Sequence, residues 1–252
     1  MLSKAKIKYI HSLEQKKNRK TEGCFVAEGP KVVGDMLPHF SPVLIVATQE
    51  WIDGNAPLAE RYAAIIETAT DEELRKASFL MHPQQVLAVF RMGEQKEWNA
   101  NGLMLALDGV QDPGNLGTII RIADWFGIED IVCSADTADA YNPKVVQATM
   151  GSLARVRMHY TKLTDWLQNL PAGTPVYGTF LDGDDITATP LEKAETAVIV
   201  MGNEGNGISD DVEKCVSHRI LIPNYPKGRE TADSLNVAVA TAITCYHMRA
   251  NN

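Results

Sequence analysis

The sequence predicts an α/β protein: a mostly parallel sheet with helices on both faces, preceded by a smaller α/β unit. Three observations predict it. Apolar runs such as VLIVAT (43–48), LMLALDGV (103–110) and AVIVMG (197–202) have the near-continuous hydrophobicity of strands covered on both sides. Helix-period segments alternate with these runs through the second half, the signature of βαβ units. One stretch, RMGEQKEWNANG (91–102), is polar and without period, and it divides the chain into expected domains at 1–95 and 102–252.

In order along the chain, a charged helix is expected near 4–17, followed by a short strand, CFVAEG. Val32, Val33, Met36 and Leu37 recur at helical spacing behind Pro30, whose missing N–H costs nothing at a helix start. VLIVAT is a strand. A helix near 56–63, the strand AIIET, a helix at 71–77 capped by Thr70 and the strand VLAVF (86–90) complete the first half. The second half opens on LMLALDGV. The next helix is expected from about Leu116, capped by Asn115 and closed by Gly127. EDIVCS is a strand, and NPKVVQATMGSLAR a helix with Asn142 as cap. The strand RVRMHY, the helix TDWLQNL and the strands PVYGTF and AVIVMG follow. ISDDVEKCV is a helix capped by Ser209, RILIP a strand, and SLNVAVATAITCYHM a final helix.

Composition bounds the function. With 252 residues, 45% hydrophobic and 22% charged, the chain has the profile of a soluble globular protein. No stretch approaches the ~18 apolar residues a membrane span needs. The basic N-terminus lacks the apolar core of a secretory signal, so a cytoplasmic location is expected. Cys24, Cys133, Cys215 and Cys245 are far apart without paired spacing, so buried free thiols are expected rather than a zinc site or a disulfide framework. The net charge of −8 is unevenly spread. Residues 1–31 carry eight Lys or Arg against three Glu, an excess of five, which leaves −13 for the remainder. Such an arm fits either a phosphate-binding footprint or a solvated helix face.

Three strand ends carry the chemistry, since ligands of open parallel sheets sit beyond the carboxyl ends of strands. The first is DGVQDPGNLGTIIRIA, with Asn115 at the turn and Arg121 in the helix. The second is VIVMGNEGNGIS, where Gly202, Gly205 and Gly207 surround Asn203, Glu204 and Asn206. Its glycine offsets differ from the dinucleotide fingerprint, and Glu204 would repel a pyrophosphate, which argues against a nucleotide-dependent oxidoreductase. The third is LIPNYPKGRETADSLNVAVATAI, with Ser234 and Asn236 at a helix start. No His, Cys or carboxylate pair occupies these loops, so neither metal hydrolysis nor a Ser-His-Asp arrangement is indicated.

Taken together and in order, N-x-G-x-x-x-R (115–121), G-N-E-G-x-G-x-S (202–209) and S-L-N-V-x-V-A (234–240) resemble the SpoU/TrmH family of RNA ribose 2′-O-methyltransferases over about residues 103–249. FVAEGPKVVGDML resembles the substrate-binding extension of the rRNA-modifying members, a domain similar to ribosomal protein L30e. The resemblance implies a SPOUT fold with a deep trefoil knot, S-adenosyl-L-methionine as cofactor, no metal, and a homodimer sharing its active site. It implies cofactor contacts at Gly202, Ile222 and Leu235, and catalytic roles for Asn115, Arg121, Glu204, Ser234 and Asn236. In the family the residue matching Arg121 is proposed as the base. A guanidinium is a poor base, so a bidentate grip on the target phosphate fits the physical chemistry better. Asp233 stands where many relatives carry Glu. A 23S rRNA substrate is expected. A tRNA methyltransferase and a non-catalytic RNA-binding or assembly factor are the alternatives.

Overall fold

The computed structural model describes residues 2–93, 102–188, 196–226 and 229–250, so residues 94–101 of the expected linker lie outside the described residues. The chain forms two compact units, one of Met1–Glu94 with Asp139–Ala154, the other of Gln95–Ala138 with Arg155–Asn252.

The first unit contains α1 (Lys4–Ser12), α2 (Lys16–Glu22), β1 (Cys24–Glu28), α3 (Pro30–Met36), β2 (Pro42–Ala47), α4 (Gln49–Gly54), α5 (Ala56–Arg61), β3 (Ile66–Thr68), α6 (Asp71–Ala77) and β4 (Val86–Arg91). The strands form one mixed sheet in the order β1-β4-β2-β3, with β4 antiparallel to β1 and β2. All of β1 and five residues of β4 are buried, hence their unbroken apolar character. Thr70 and Glu73 form a reciprocal capping box at α6.

The single helix expected over 4–17 is broken into α1 and α2, and Arg19 explains the break. Its guanidinium donates to the carbonyls of Leu13 (2.9 Å) and Glu14 (2.7 Å), fixing the turn between the helices, and pairs with Asp139 at 2.6 Å. Arg19 is 1% exposed. One charge of the expected basic arm is therefore internal, and Lys6 is committed to Glu67. The helix expected over 142–155 is likewise shorter. It runs as α8 (Pro143–Ala148) under its Asn142 cap and gives way to a turn with Met150 and Gly151 at positive φ. A Cβ on Gly151 would stand 2.8 Å from Cβ of Asp35, so the turn is compelled by close approach to α3.

The second unit contains β5 (Gly102–Leu107), α7 (Pro113–Trp125), β6 (Asp130–Cys133), β7 (Arg157–Tyr160), α9 (Leu163–Gln168), β8 (Val176–Asp185), β9 (Thr196–Met201), α10 (Asp210–Glu213), β10 (His218–Leu221) and α11 (Val237–Ala250). Six strands form one sheet in the order β10-β8-β9-β5-β6-β7, and every pairing is parallel. The mostly parallel α/β sheet expected from the sequence is thus present. Met104, Ala106, Val132, Val198 and Val200 bury one face against Leu163, Trp166 and Leu167 of α9. Gly127, at φ 65°, terminates α7 as expected. The four cysteines are free. Cys24, Cys133 and Cys245 are buried, but Cys215 is only half-buried, because α10 is a single turn at the surface.

At the amino ends of β6 and β7, buried Asp130 receives Arg157 at 2.6 Å and His159 at 2.7 Å. Burial alone would raise its pKa. The hydrogen bonds from His159 and Arg157 outweigh it and hold the carboxyl below its ordinary value. A depressed carboxylate stabilises the fold above its unfolded pKa of about 3.9, and that contribution is lost as pH falls through the folded value. We expect Asp130→Ala to cost about 2–3 kcal/mol in urea unfolding at pH 7. The difference from wild type should shrink on acidification.

Candidate active site at the strand ends

The site lies where the sheet order reverses. From β5 the chain proceeds to β6 and β7 on one side, while β9, the other neighbour of β5, continues past β8 to β10. Such a switch point opens a crevice beyond the strand ends. β5 and β9 run in register from Gly102–Thr196 to Leu107–Met201, so their exit loops leave at one level. The Asp108 N–H donates to the Met201 carbonyl at 2.9 Å, which closes the sheet at this point.

The loop after β9 folds back on itself. Asn203 and Gly207 exchange both backbone hydrogen bonds at 2.9 Å. Gly202 is required by this closure: a Cβ there would stand 2.2 Å from the Gly207 carbonyl carbon and 2.3 Å from the Ile208 nitrogen. The hairpin projects Glu204 toward the β5 loop. Its carboxylate accepts from the Gln111 and Asp112 N–H groups, each at 3.3 Å, and from Nδ2 of Asn115 at 3.0 Å. Burial alone would raise the Glu204 pKa. The Asn115 hydrogen bond, together with the backbone donors, prevails and lowers it, so this group is a fixed anion rather than a proton donor.

Asn115 was expected as the cap of α7, and the structure corrects this. Asp112 is the cap: its Oδ1 accepts from the Asn115 N–H at 2.8 Å, and Pro113 takes the first helical position, which its fixed φ suits. The correction frees the Asn115 side chain. Its Nδ2 donates to Glu204, and its Oδ1 accepts from Nδ2 of Asn236 at 2.9 Å. The final helix, expected from Ser234, begins at Val237. Asn236 precedes it and its Oδ1 accepts from the N–H groups of Ala238 and Val239. Glu204, Asn115 and Asn236, from three different strand ends, thus form one hydrogen-bonded chain.

The other expected residues stand near this chain in sequence but are not bonded to it. Arg121 is exposed on α7, six residues beyond Asn115, and its side chain has no hydrogen-bond or ion-pair partner among the described residues. Ser234 is exposed two residues before Asn236. Ile222 is half-buried directly after β10, and Leu235 is 51% exposed. Ser209 occupies the cap position of α10 without a side-chain cap. Its N–H instead donates to Oδ2 of Asp108 at 2.8 Å. Sequence reasoning missed Asp108, Asp112 and Asn203 as organisers of the loops. Asp-Pro at a helix start was the available signal for Asp112. Among the described residues no group of three His, Cys, Asp or Glu is arranged to hold a metal.

Residues 102–246 match the SpoU rRNA Methylase family, and residues 4–88 match the MRM3-like substrate binding domain. The chain is 32% identical to the 23S rRNA (guanosine(2553)-2′-O)-methyltransferase RlmP of Bacillus subtilis, over 97% of this chain and 96% of that one. A structure described as a TrmH-family RNA methyltransferase from Porphyromonas gingivalis superposes with a TM-score of 0.89 at 40% identity, covering 100% of both chains. An AdoMet-bound rRNA methyltransferase from Sinorhizobium meliloti gives 0.86 at 29% identity, over 99% of this chain and 96% of that one.

Proposed function

The chain belongs to the SpoU rRNA methylase family, and on that premise we propose that it methylates a ribose 2′-hydroxyl of RNA, with 23S rRNA as substrate and S-adenosyl-L-methionine as methyl donor. The observation that carries this reading is the Glu204–Asn115–Asn236 chain, which ties three separate motifs into one polar rim beside a glycine hairpin.

The residues present fit the cofactor. The hairpin after Gly202 offers backbone donors and acceptors, half-buried Ile222 and exposed Leu235 offer apolar surface for an adenine ring, and the anionic Glu204 suits a cationic ligand. When bound, the cofactor supplies a methyl group made electrophilic by its sulfonium. The protein's task is alignment of the hydroxyl. Glu204 fixes the Asn115 amide, and Asn115 orients Asn236. Arg121, whose side-chain donors have no partner among the described residues, grips the target phosphate. The hydroxyl proton then leaves to a phosphate oxygen or water. Ser234, exposed two residues before Asn236, is assigned to the ribose.

We assign residues 1–95 to RNA binding and 102–252 to catalysis. In the basic arm Lys16, Lys17 and Lys20 are exposed on α2, whereas Arg19 is internal. Replacing the three lysines with alanine should weaken RNA binding and reduce the slope of log K against log salt by up to about 2–3. Arg19→Ala should instead destabilise the fold by about 3 kcal/mol in urea unfolding, because it empties a buried site and leaves half-buried Asp139 and the Leu13 and Glu14 carbonyls without their donor. A homodimer is supported by Val239, Ile243 and Tyr246, which leave an apolar stripe exposed along α11, and by Trp125, 85% exposed at the end of the helix against which α11 packs. A trefoil knot is part of the reading on family membership, and it accords with β10 lying at the sheet edge while Asn236, later in the chain, meets Asn115 after central β5. No helix among the described residues is long and apolar enough to cross a membrane.

The test is incubation of the purified protein with labelled methyl donor and either 23S rRNA or tRNA, followed by mass-spectrometric mapping of 2′-O-methyl nucleotides. Methylation at one rRNA ribose is expected. Methylation of tRNA alone would move the substrate, and methylation of neither would overturn the reading.

A further inference from the structure

Asn203 has no role in the reading above, yet its amide makes three hydrogen bonds, as many as the Glu204 carboxylate. Oδ1 accepts from the N–H groups of Gly205 (2.9 Å) and Asn206 (3.0 Å), and these bonds shape the turn from within. Nδ2 leaves the hairpin and donates to the Gly109 carbonyl at 2.6 Å, in the loop after β5. The far end of the hairpin is tied to the same place, through the Ser209 N–H on Asp108. The anchor is itself held: the Gly109 N–H donates to Oγ of Ser134 at 2.8 Å, and Ser134 donates to Asp136. Gly109 stands at φ 73°, and a Cβ on it would lie 3.1 Å from Oδ2 of Asp136, so little slack exists around it.

Glu204 follows Asn203 directly. Its two backbone hydrogen bonds, at 3.3 Å, sit at the long end of the useful range, so a small shift of the hairpin would break them. We propose that Asn203 is a positioning residue: its bond to the Gly109 carbonyl sets the hairpin at the height where Glu204 engages Gln111, Asp112 and Asn115. This rests on the methyltransferase reading only for its consequence in rate.

The variants separate the two functions of the amide. Asn203→Asp keeps Oδ1 for the turn but faces the Gly109 carbonyl with an oxygen, opening the staple. Glu204→Gln alters the group that the staple positions. With the full-length protein we expect Asn203→Asp to lower kcat about 10–100-fold, the scale of an ångström-sized misplacement, with KM for RNA within about three-fold and calorimetric cofactor affinity, which depends on the same hairpin, lowered by less than kcat. The double variant should be no slower than the slower single variant. In ¹⁵N–¹H spectra the Gln111 and Asp112 amides should move in Asn203→Asp as they do in Glu204→Gln. Should Asn203→Asp fail to fold, Ser134→Ala loosens the same anchor from the other side, and the same two amides should move. Multiplicative rate losses, or unmoved Gln111 and Asp112 amides, would overturn the proposal. The spectra and calorimetry need no RNA. Coupled amide shifts in a protein that methylates nothing would sink the reaction and leave the positioning role, whereas methylation with multiplicative losses would do the reverse.

Discussion

Arg121→Ala should abolish methyl transfer, lowering kcat/KM by about 10³-fold, while cofactor affinity measured by calorimetry stays within about three-fold. The magnitude follows from what the folded protein does with this side chain, which is nothing: Arg121 is exposed and without a partner among the described residues. Removing such a group costs the fold within about 0.5 kcal/mol, so lost activity would not reflect unfolding. Five donors on the helix that also carries Asn115 suit the proposed phosphate clamp. Arg121→Lys separates clamp from base. Lysine has the lower pKa, about 10.4, and is the better base, but it offers a point charge instead of a fork. A clamp predicts that the lysine variant stays at least about 10²-fold impaired at every pH. A base predicts recovery as pH rises toward the lysine pKa. Wild-type activity in Arg121→Ala would remove the residue from the mechanism.

What the sequence made legible, and what it concealed, divides by the range of the interactions. The six parallel strands of the second unit were readable because burial on both faces leaves continuous apolar runs. Thr70, Asn142 and Gly127 acted as read because a cap involves only neighbours within three residues. The cap of α7 was misplaced by three residues. Asn115 has the chemistry of a cap but is claimed by Glu204 and Asn236, 89 and 121 residues away, and Asp112 serves in its place. The break after Ser12 was concealed for the same reason, since the partner of Arg19 is Asp139, 120 residues away. The motif residues were recognisable as types. That Glu204, Asn115 and Asn236 join directly, that Arg121 and Ser234 do not, and that Asn203 staples the hairpin are facts of tertiary geometry.

That geometry makes Asn115→Asp the most informative change at the rim, because it reverses the sign of a pH dependence. In the wild type Glu204 has a lowered pKa, so its contribution is present above the unfolded value of about 4.3 and is lost only as pH falls through the folded value. Its acid limb should therefore lie below the ordinary carboxylate range. Aspartate at 115 is nearly isosteric and still accepts from Asn236, but it replaces the donor 3.0 Å from Glu204 with a second anion. At an effective dielectric of about 20, two charges at that separation repel by about 5 kcal/mol. The pair must then share a proton, and its upper apparent pKa rises above the carboxylate range. Stability and activity should both increase as pH falls through that value, opposite to the wild type. We expect kcat/KM to drop about 10²–10³-fold at pH 8 and to recover in part toward pH 5–6, where the shared proton restores a donor between the carboxyls. Asn115→Ala, which has no proton to share, should show the loss without the recovery. A loss in Asn115→Asp that is independent of pH and equal to that of Asn115→Ala would mean that Glu204 does not feel residue 115, and the hydrogen-bonded chain would not be the organising element of the site.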